Sequence, residues 1–380
     1  MRIGLNTLYL APGRVGGVET YARGLVRGLA RIDPRNEYVL FANRENAPTW
    51  GALPANFAVH ECPVRAASKV HRTLYEQLRL NAAARRLGID LLHSLCHVAP
   101  PRRNGMRAVV TIPDIIFLRF PGEFRFVQHH VAHRLMRRAV READRVLVYS
   151  EHTKGDLRQE FGVPANRVDV APLAPGEPAR DPEAARPVLE ALRIPEHYIY
   201  SVLATYHHKN LDGLLRAFAR LRERESVPHA LVISGLRMAA HSRFEALVEE
   251  LQLREDVIFT GWVPEAALRA LYEGAACFVY PSLYEGFGLP VLEAMALGVP
   301  VVCSNATSLP EVAGDAALLV DPRDPAALAE ALARCLKDDA TRRMLVEKGR
   351  AHAARFTWEE CARGTLASYQ RAMAGGAAQP

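Results

Sequence analysis

The sequence predicts an α/β protein made of two doubly wound parallel sheets, and three features predict it. Short apolar runs alternate with amphipathic helical stretches from Arg2 to about Tyr149, the pattern of strand–helix–strand crossovers. A polar stretch carrying Pro172, Pro175, Pro178, Pro182 and Pro187 then reads as a linker, because proline lacks the N–H that a helix interior or a central strand requires. A second alternating run begins at Tyr198 and continues to Cys303. At 380 residues the chain has room for two such domains, expected at 1–172 and 173–355 with a last helix at about 356–374.

The first half reads in order as follows. Residues 2–10 form a strand, and Pro12 to Gly17 form a loop. Val18, Tyr21, Leu25 and Leu29 mark one face of a helix whose N-terminus carries Gly16 and Gly17, so its amides are open to an anion or simply to a turn. Further strands are expected at Glu37–Ala42, at 90–93, at Ala108–Ile112 and at Val146–Tyr149, with Ser150 as a helix N-cap. Ligands of such sheets lie beyond the carboxyl ends of the strands, which makes His93, Ser94 and His97 candidates for ligand contact, with a purely structural role as the alternative for a lone histidine near a loop. Asp114, after the next strand, is a candidate for binding ligand hydroxyls, with a turn or helix cap as the competing role. Residues 125–145 read as a basic helix. Arg134, Arg138, Arg141 and Arg145 lie on one face and Val127, Val131 and Leu135 on another, a solvated surface or a dock for anionic lipid.

In the second half, strands are expected at Tyr198–Ala204, Leu231–Ser234, Val257–Thr260, 277–280 and Val299–Cys303. Helices follow at 325–336, 340–354 and 358–373, with a frayed end at 374–380.

Composition narrows the class. Hydrophobic content of 49% and charged content of 24% are those of a globular chain, and no apolar run reaches membrane-span length. The six cysteines form no Cys-x-x-Cys pair and read as buried free thiols of a reducing, cytoplasmic compartment. Residues 1–170 hold 26 Lys+Arg against 15 Asp+Glu, whereas residues 171–380 hold 22 against 27. The basic half suits an anionic partner, but no nucleic-acid-binding motif accompanies it.

The chemistry concentrates at Glu285-Gly286-Phe287-Gly288-Leu289-Pro290-Val291-Leu292-Glu293. A strand precedes it, Pro290 suits the first helical position, and Gly298 suits a left-handed stop. Glu285 is thus expected in the turn and Glu293 in the first turn of a helix. Backbone amides and the helix dipole would converge between two carboxylates, which suits a diphosphate with hydroxyl-bearing groups at both ends. A plain glycine turn with an acidic cap is the alternative. Lys209, between a strand end and a helix start, is a point charge placed where a cation is intrinsically unfavourable, unless an anion joins it.

These residues resemble retaining glycosyltransferases of family 4 (the glycosyltransferase group 1 family, mannosyltransferase and glycogen-synthase-like), which have the GT-B fold. The match includes Glu285 and Glu293 with Gly-Phe-Gly-Leu-Pro between them, Tyr280-Pro281-Ser282 before and Ala294 to Val302 after, and it extends over nearly the whole chain. The resemblance implies two Rossmann-like domains facing a central cleft, an N-terminal acceptor domain and a C-terminal donor domain, with the last helix returning to the first. It implies that Glu285 lies beside the donor sugar and Glu293 binds the ribose. The amides of Phe287, Gly288 and Leu289, together with Gly16 and Gly17, would meet sugar and phosphates. Lys209 would hold the diphosphate, and the turns at Gly235 and Val263 would meet the base.

The chain departs from the pattern at three points. Pro113 stands where relatives often carry a histidine before the aspartate, His208 replaces an arginine, and Leu203-Ala204 replaces a Gly-Arg. With no Asp-x-Asp and no metal-ligand spacing, neither a metal nor another cofactor is expected, and Lys209 and amide dipoles are left to neutralise the leaving diphosphate. A glycosidase would need no phosphate cradle between its carboxylates, and a phosphorylase would need a pyridoxal lysine that has no place here. The expected activity is metal-independent, retaining transfer of a hexose, mannose or glucose, from a nucleoside-diphosphate sugar to a glycan or lipid-linked acceptor. The enzyme would be cytoplasmic, with peripheral membrane contact through helix 125–145. The alternative is a catalytically weak GT-B subunit that binds sugar nucleotide or a partner enzyme.

Overall fold

The computed structural model describes residues 1–13, 16–101, 105–123, 126–176, 181–238 and 241–375, with backbone alone at 126–128. The chain divides into two compact units, Met1–Ala174 with the segment from Thr357 onward, and Pro175–Phe356.

The first unit is built on β1 (Arg2–Asn6), β2 (Glu37–Ala42), β3 (Phe57–Glu61), β4 (Leu91–Ser94), β5 (Arg107–Thr111), β6 (Arg145–Val148) and β7 (Val168–Val170). They form one parallel sheet in the order β3-β2-β1-β4-β5-β6-β7, with Ile3 between Tyr38 and Leu91. Strands covered on both faces read as continuous apolar runs, and Ile3, Leu5, Leu40 and Val110 are fully buried. Its helices are α1 (Gly17–Ile32), α2 (Lys69–Leu78), α3 (Leu80–Arg86), α4 (Ile116–Arg119), α5 (Phe126–Glu142) and α6 (Glu151–Phe161). Ser150 caps α6 by accepting from the Thr153 amide at 3.1 Å.

The second unit repeats the plan. Its strands β8 (Tyr198–Val202), β9 (Ala230–Ser234), β10 (Val257–Gly261), β11 (Cys277–Tyr280), β12 (Val301–Ser304) and β13 (Leu318–Val320) pair in parallel, in the order β10-β9-β8-β11-β12-β13. Its helices are α7 (Pro182–Ala191), α8 (Leu211–Arg224), α9 (His241–Glu250), α10 (Glu265–Glu273), α11 (Leu289–Ala296), α12 (Leu309–Ala313), α13 (Pro325–Lys337) and α14 (Asp339–Ala353). Each sheet reverses strand order once, between β1 and β4 and between β8 and β11, and such switch points open a crevice at the carboxyl ends.

The last helix, α15 (Trp358–Ala374), belongs to the first unit and packs on α1. Two glycines of α1 permit it. A Cβ on Gly24 would stand 2.2 Å from the Trp358 ring, and one on Gly28 would stand 2.2 Å from the Trp358 carbonyl.

Four expectations change. The first strand ends at Asn6 rather than residue 10, because the Leu10 amide closes a turn on the Thr7 carbonyl at 3.0 Å and Asn43 binds the Leu8 and Leu10 carbonyls. The proline stretch is not all linker: α7 runs through Pro187, started by Asp181, whose carboxylate accepts from the Ala184 amide, and by Pro182 in the first turn. Pro178 lies outside the described residues, as do residues 14, 15, 125, the Val127 side chain and 376–380 of the expected end. The basic helix stops at Glu142, where Arg167 collects the Val140 and Arg141 carbonyls, and Arg145 instead starts β6, its guanidinium paired with Asp169. Five of the six cysteines are buried and Cys96 is half-buried; all six are free.

Candidate active site

In the second unit the two strands flanking the switch point deliver the charged groups. After β8 the chain makes a 3-10 turn at His207–Lys209, and Asn210 takes a left-handed conformation, φ 57°, to start α8. Asn210 locks this turn to the end of β11, its amide donating to the Pro281 carbonyl at 3.1 Å and the Pro322 carbonyl at 2.6 Å. The Leu283 amide adds a bond to the His208 carbonyl at 2.7 Å. Lys209 is thereby carried over the end of β11, where its ammonium donates to the Glu285 carboxylate at 2.6 Å and the Tyr280 hydroxyl at 2.9 Å. Burial by itself would push this ammonium down, but the charge of Glu285, aided by Tyr280, raises it well above the ordinary lysine value.

The turn after Glu285 is fixed from behind. The Ser308 hydroxyl donates to the Glu285 and Phe287 carbonyls at 3.0 and 2.7 Å, and the Glu285 amide donates to the Thr307 hydroxyl at 3.0 Å. Gly288 then forms the N-cap of α11 at φ 124°, and a Cβ there would lie 2.6 Å from Leu309. Both the backbone angle and the close approach require glycine. The side chains of Phe287 and Leu289 are buried, so only their backbones are available to a ligand. Pro290 is the second helical residue rather than the first, and Glu293 sits in the second turn of α11 rather than the first, because the helix already begins at Leu289. Glu293 accepts from the Tyr272 hydroxyl at 3.1 Å and from the Gly176 amide. Burial raises the Glu293 carboxyl above the ordinary range, opposed by these two bonds.

Gly235 and Val263 follow β9 and β10. Gly235, at φ 148°, is needed where a Cβ would stand 2.3 Å from the Leu203 carbonyl, which gives it a packing reason of its own. Val263 is buried, while Trp262 is 53% exposed. His208 is buried, its ring stacked on Tyr206 at 5.4 Å.

In the first unit, Gly16 is the N-cap of α1 at φ 53° and Gly17 its first residue. His97, after β4, and Asp114, after β5, come together. The His97 Nε2 lies 3.2 Å from the Asp114 carbonyl and 3.8 Å from its carboxylate, and the Nδ1 lies 3.1 Å from the Cys96 sulfur. His97 holds a left-handed backbone, φ 45°, which a residue with a Cβ adopts only when its surroundings impose it. Burial would lower its imidazole, yet Cys96 and Asp114 hold it well above the ordinary value. Asp114 also caps α4 by accepting from the Ile116 amide at 3.0 Å, the competing role noted from the sequence.

His93 is a correction. It points into the core with no exposure, its nitrogens bonded to the Tyr369 hydroxyl at 2.7 Å and the Thr111 hydroxyl at 2.8 Å. Burial lowers its imidazole to about 3, so it stays neutral and presents nothing to an acceptor. The residue type was compatible with a site, but β4 runs one residue further than expected, to Ser94, so His93 lies within a strand covered on both faces rather than beyond its end. Sequence reasoning also missed Asn210, Tyr272, Thr307 and Ser308, which act through tertiary contacts. Tyr280 alone had a local signal, standing at a strand end beside Pro281.

Among the described residues no group of three or more His, Cys, Asp or Glu side chains is arranged to hold a metal ion, and no helix is long and apolar enough to cross a membrane.

Residues 15–174 match the family model described as Glycosyltransferase Family 4, and residues 190–352 match that described as Glycosyl transferases group 1. The chain is 35% identical over 267 residues to O-antigen chain mannosyltransferase B of Escherichia coli, covering 70% of each protein. It is 31% identical over 350 residues to the D-inositol 3-phosphate glycosyltransferase of Frankia alni, covering 87% of this chain and 81% of that one. Its structure resembles sucrose-phosphate synthase from Thermosynechococcus elongatus with a TM-score of 0.78 at 22% identity, over 99% of this chain and 100% of that chain.

Proposed function

Since this chain is a family 4 glycosyltransferase with the GT-B fold, we propose that it moves a hexose, with retention and without a metal ion, from a nucleoside-diphosphate sugar to a glycan or lipid-linked acceptor. The observation that carries the donor assignment is the junction of Lys209 with Glu285 at the β8/β11 switch point. An ammonium has three N–H donors, and Glu285 and Tyr280 take two of them. The third is the group proposed for the diphosphate, with the amides at the start of α11 as its second contact. Glu293, held by Tyr272, is assigned to the ribose hydroxyls, and Glu285 to the donor sugar. Gly235 and Val263 are the proposed turns for the base, reached through main chain. Gly16 and Gly17, in the first unit, are the proposed further phosphate contact. Mannose is the favoured sugar, because one relative with substantial coverage is named a mannosyltransferase.

The proposed chemistry needs no residue that becomes covalently attached to sugar. The acceptor oxygen bonds to the anomeric carbon on the face from which the phosphate leaves, the carbon–phosphate oxygen bond breaks, and the acceptor proton passes to the leaving diphosphate. Lys209 stabilises the charge that develops on that diphosphate. Asp114 and His97 are assigned to the acceptor or sugar hydroxyls, with the imidazolium held in place by Cys96 and the Asp114 carbonyl.

Peripheral contact with an anionic membrane surface is part of the proposal, and the described side chains favour α2 over α5. On α2, Val70, Leu74 and Leu78 are 75%, 52% and 65% exposed at a spacing of four, one apolar stripe. Lys69, His71 and Arg79 are exposed beside it, the pattern of a helix lying in the headgroup region. On α5 Met136, Ala139 and Val140 are buried, and among the described apolar side chains Val131 alone is exposed, so there is no comparable stripe.

The test is calorimetric titration with a panel of nucleoside-diphosphate hexoses in the presence of a chelator. One donor should bind in the chelated protein and lose affinity in Lys209→Ala. Binding that vanishes with the chelator, or that survives Lys209→Ala undiminished, contradicts the assignment.

A further inference from the structure

A charged cavity lies at the amino ends of the strands of the second unit, the ends opposite Lys209 and Glu285, and nothing in the donor chemistry uses it. It measures about 890 Å³ and is lined by His197, His229, Arg342, Arg343, Glu347 and Arg350 among others. His197 immediately precedes β8 and His229 immediately precedes β9, whereas Lys209 and Glu285 follow β8 and β11, so the sheet separates the two places.

Its charge is unbalanced. Three guanidinium groups face one carboxylate, and the two imidazole rings lie 5.6 Å apart. Arg342 is tied to Asp339 at 2.5 Å and to the Leu336 carbonyl at 3.2 Å. Arg343 and Arg350 have neither a hydrogen bond nor an ion pair through their guanidinium groups among the described residues. They sit seven residues apart on one face of α14, with Glu347 between them. Arg350 is nonetheless fixed in place. Its guanidinium occupies the space beside Gly298, where a Cβ would be 2.3 Å away. The His229 Nδ1 is buried without a hydrogen-bond partner. Burial, then His197 and Arg342, lower the His229 imidazole, so the cluster already suppresses its own charge.

Arg343, Glu347 and Arg350 are exposed, so their charge is solvated in the empty cavity and the two guanidinium groups are open to an anion from solvent. The volume is that of a small-molecule site rather than of a single ion. We infer that this cavity binds a soluble phosphate-bearing small molecule, with Arg343 and Arg350 as forks for its phosphate oxygens and His229 as a hydrogen-bond donor. The guanidinium geometry favours phosphate over a smaller anion, because each fork presents two parallel N–H groups. The inference does not depend on the donor assignment, since no residue is shared.

The probe is inorganic pyrophosphate titrated calorimetrically into the full chain carrying Lys209→Ala, which removes the donor-site cation. One site should remain. Arg343→Glu should abolish it, Arg343→Ala should weaken it at least about tenfold, and Arg343→Lys should retain most of it. Arg343 has no side-chain partner to lose, so these variants keep their thermal melts. Proton NMR of the histidine rings supplies a second readout: saturating pyrophosphate should raise the titration midpoint of His229. The inference is overturned if no site remains in the Lys209→Ala protein, or if the remaining site is indifferent to Arg343→Glu. Flotation on phosphatidylglycerol vesicles that depends on Arg343, with no pyrophosphate binding, would overturn it in favour of a lipid headgroup.

Discussion

The Lys209 ammonium donates to the Glu285 carboxylate across 2.6 Å, and this bond joins the loops that follow the two strands at the switch point of the donor sheet. Glu285 is buried, so removing its partner leaves a carboxylate without a counter-charge. Lys209→Met should therefore cost roughly 3 kcal/mol of stability as well as activity. The double variant Lys209→Met with Glu285→Gln should recover most of that stability and none of the activity. Urea denaturation alongside transfer assays separates the two effects, and a double variant as unstable as Lys209→Met would mean that the pair does not act as a unit.

Glu293 stands apart from that pair, held by Tyr272 and the Gly176 amide. Because burial already raises its carboxyl, Glu293→Gln should leave stability at pH 7 unchanged or slightly higher. A carboxylate that binds the ribose equally well in the ground and transition states contributes to donor affinity alone. Its replacement should therefore raise the donor KM about ten- to a hundredfold with kcat little altered. A fall in kcat at unchanged KM would move Glu293 from the nucleotide to the reacting centre.

The same groups show what the sequence can and cannot convey. Strands such as Tyr198–Val202 were legible because a parallel strand covered on both faces must be an apolar run, and the Glu285–Glu293 turn because its glycines carry local backbone demands. β3 (Phe57–Glu61) was not legible: it is an edge strand with Ala58, Val59 and Glu61 exposed, so its pattern is weak. The helix over Pro187 was hidden because proline predicts a break that the Asp181 cap and tertiary packing overrule. His93 and His97 carry the same chemistry four residues apart. Only the fold reveals that one is a core hydrogen-bond bridge and the other is held beside Asp114.

Those two histidines should respond oppositely. His93→Ala removes the bridge between Tyr369 and Thr111 and should lower stability by about 2–4 kcal/mol, leaving acceptor KM alone in the folded fraction. His97→Gln should raise acceptor KM or lower kcat with less than about 1 kcal/mol of change in stability. Thermal melts and acceptor titrations on both variants check the pair of outcomes.

Glu76 predicts a pH dependence. It lies buried on α2, its carboxylate accepting at 3.2 Å from the side-chain amide of Asn6 at the end of β1, and burial raises its carboxyl to about 7. The folded chain therefore holds this proton over a range where the unfolded chain has released it. Stability from this group is fully present below about pH 4.5 and is lost as pH rises through 7. Glu76→Gln should thus stabilise the protein by up to roughly 3 kcal/mol at pH 8 and make little difference at pH 4.5. Urea midpoints at the two values check it, and equal effects at both would contradict the burial argument.

Gly24 and Gly155 make a matched test of the first unit's packing. Both lie within helices, but a Cβ on Gly24 meets Trp358 at 2.2 Å and one on Gly155 meets nothing within 4 Å. Gly155→Ala should stabilise by about 0.5–1 kcal/mol through helix propensity. Gly24→Ala should destabilise by about 2 kcal/mol by displacing α15 from α1. Denaturation midpoints of the two variants give the comparison.

In the proposed chemistry, Lys209 and backbone dipoles drive metal-independent transfer with retention. Its most direct test is the anomeric configuration of the product, read by proton NMR from a reaction run in excess chelator with the donor that binds. The product should keep the donor's own anomeric configuration, form at an undiminished rate with chelator and be lost in Lys209→Met. An inverted product, or a rate that collapses with chelator and returns with a divalent cation, would contradict it.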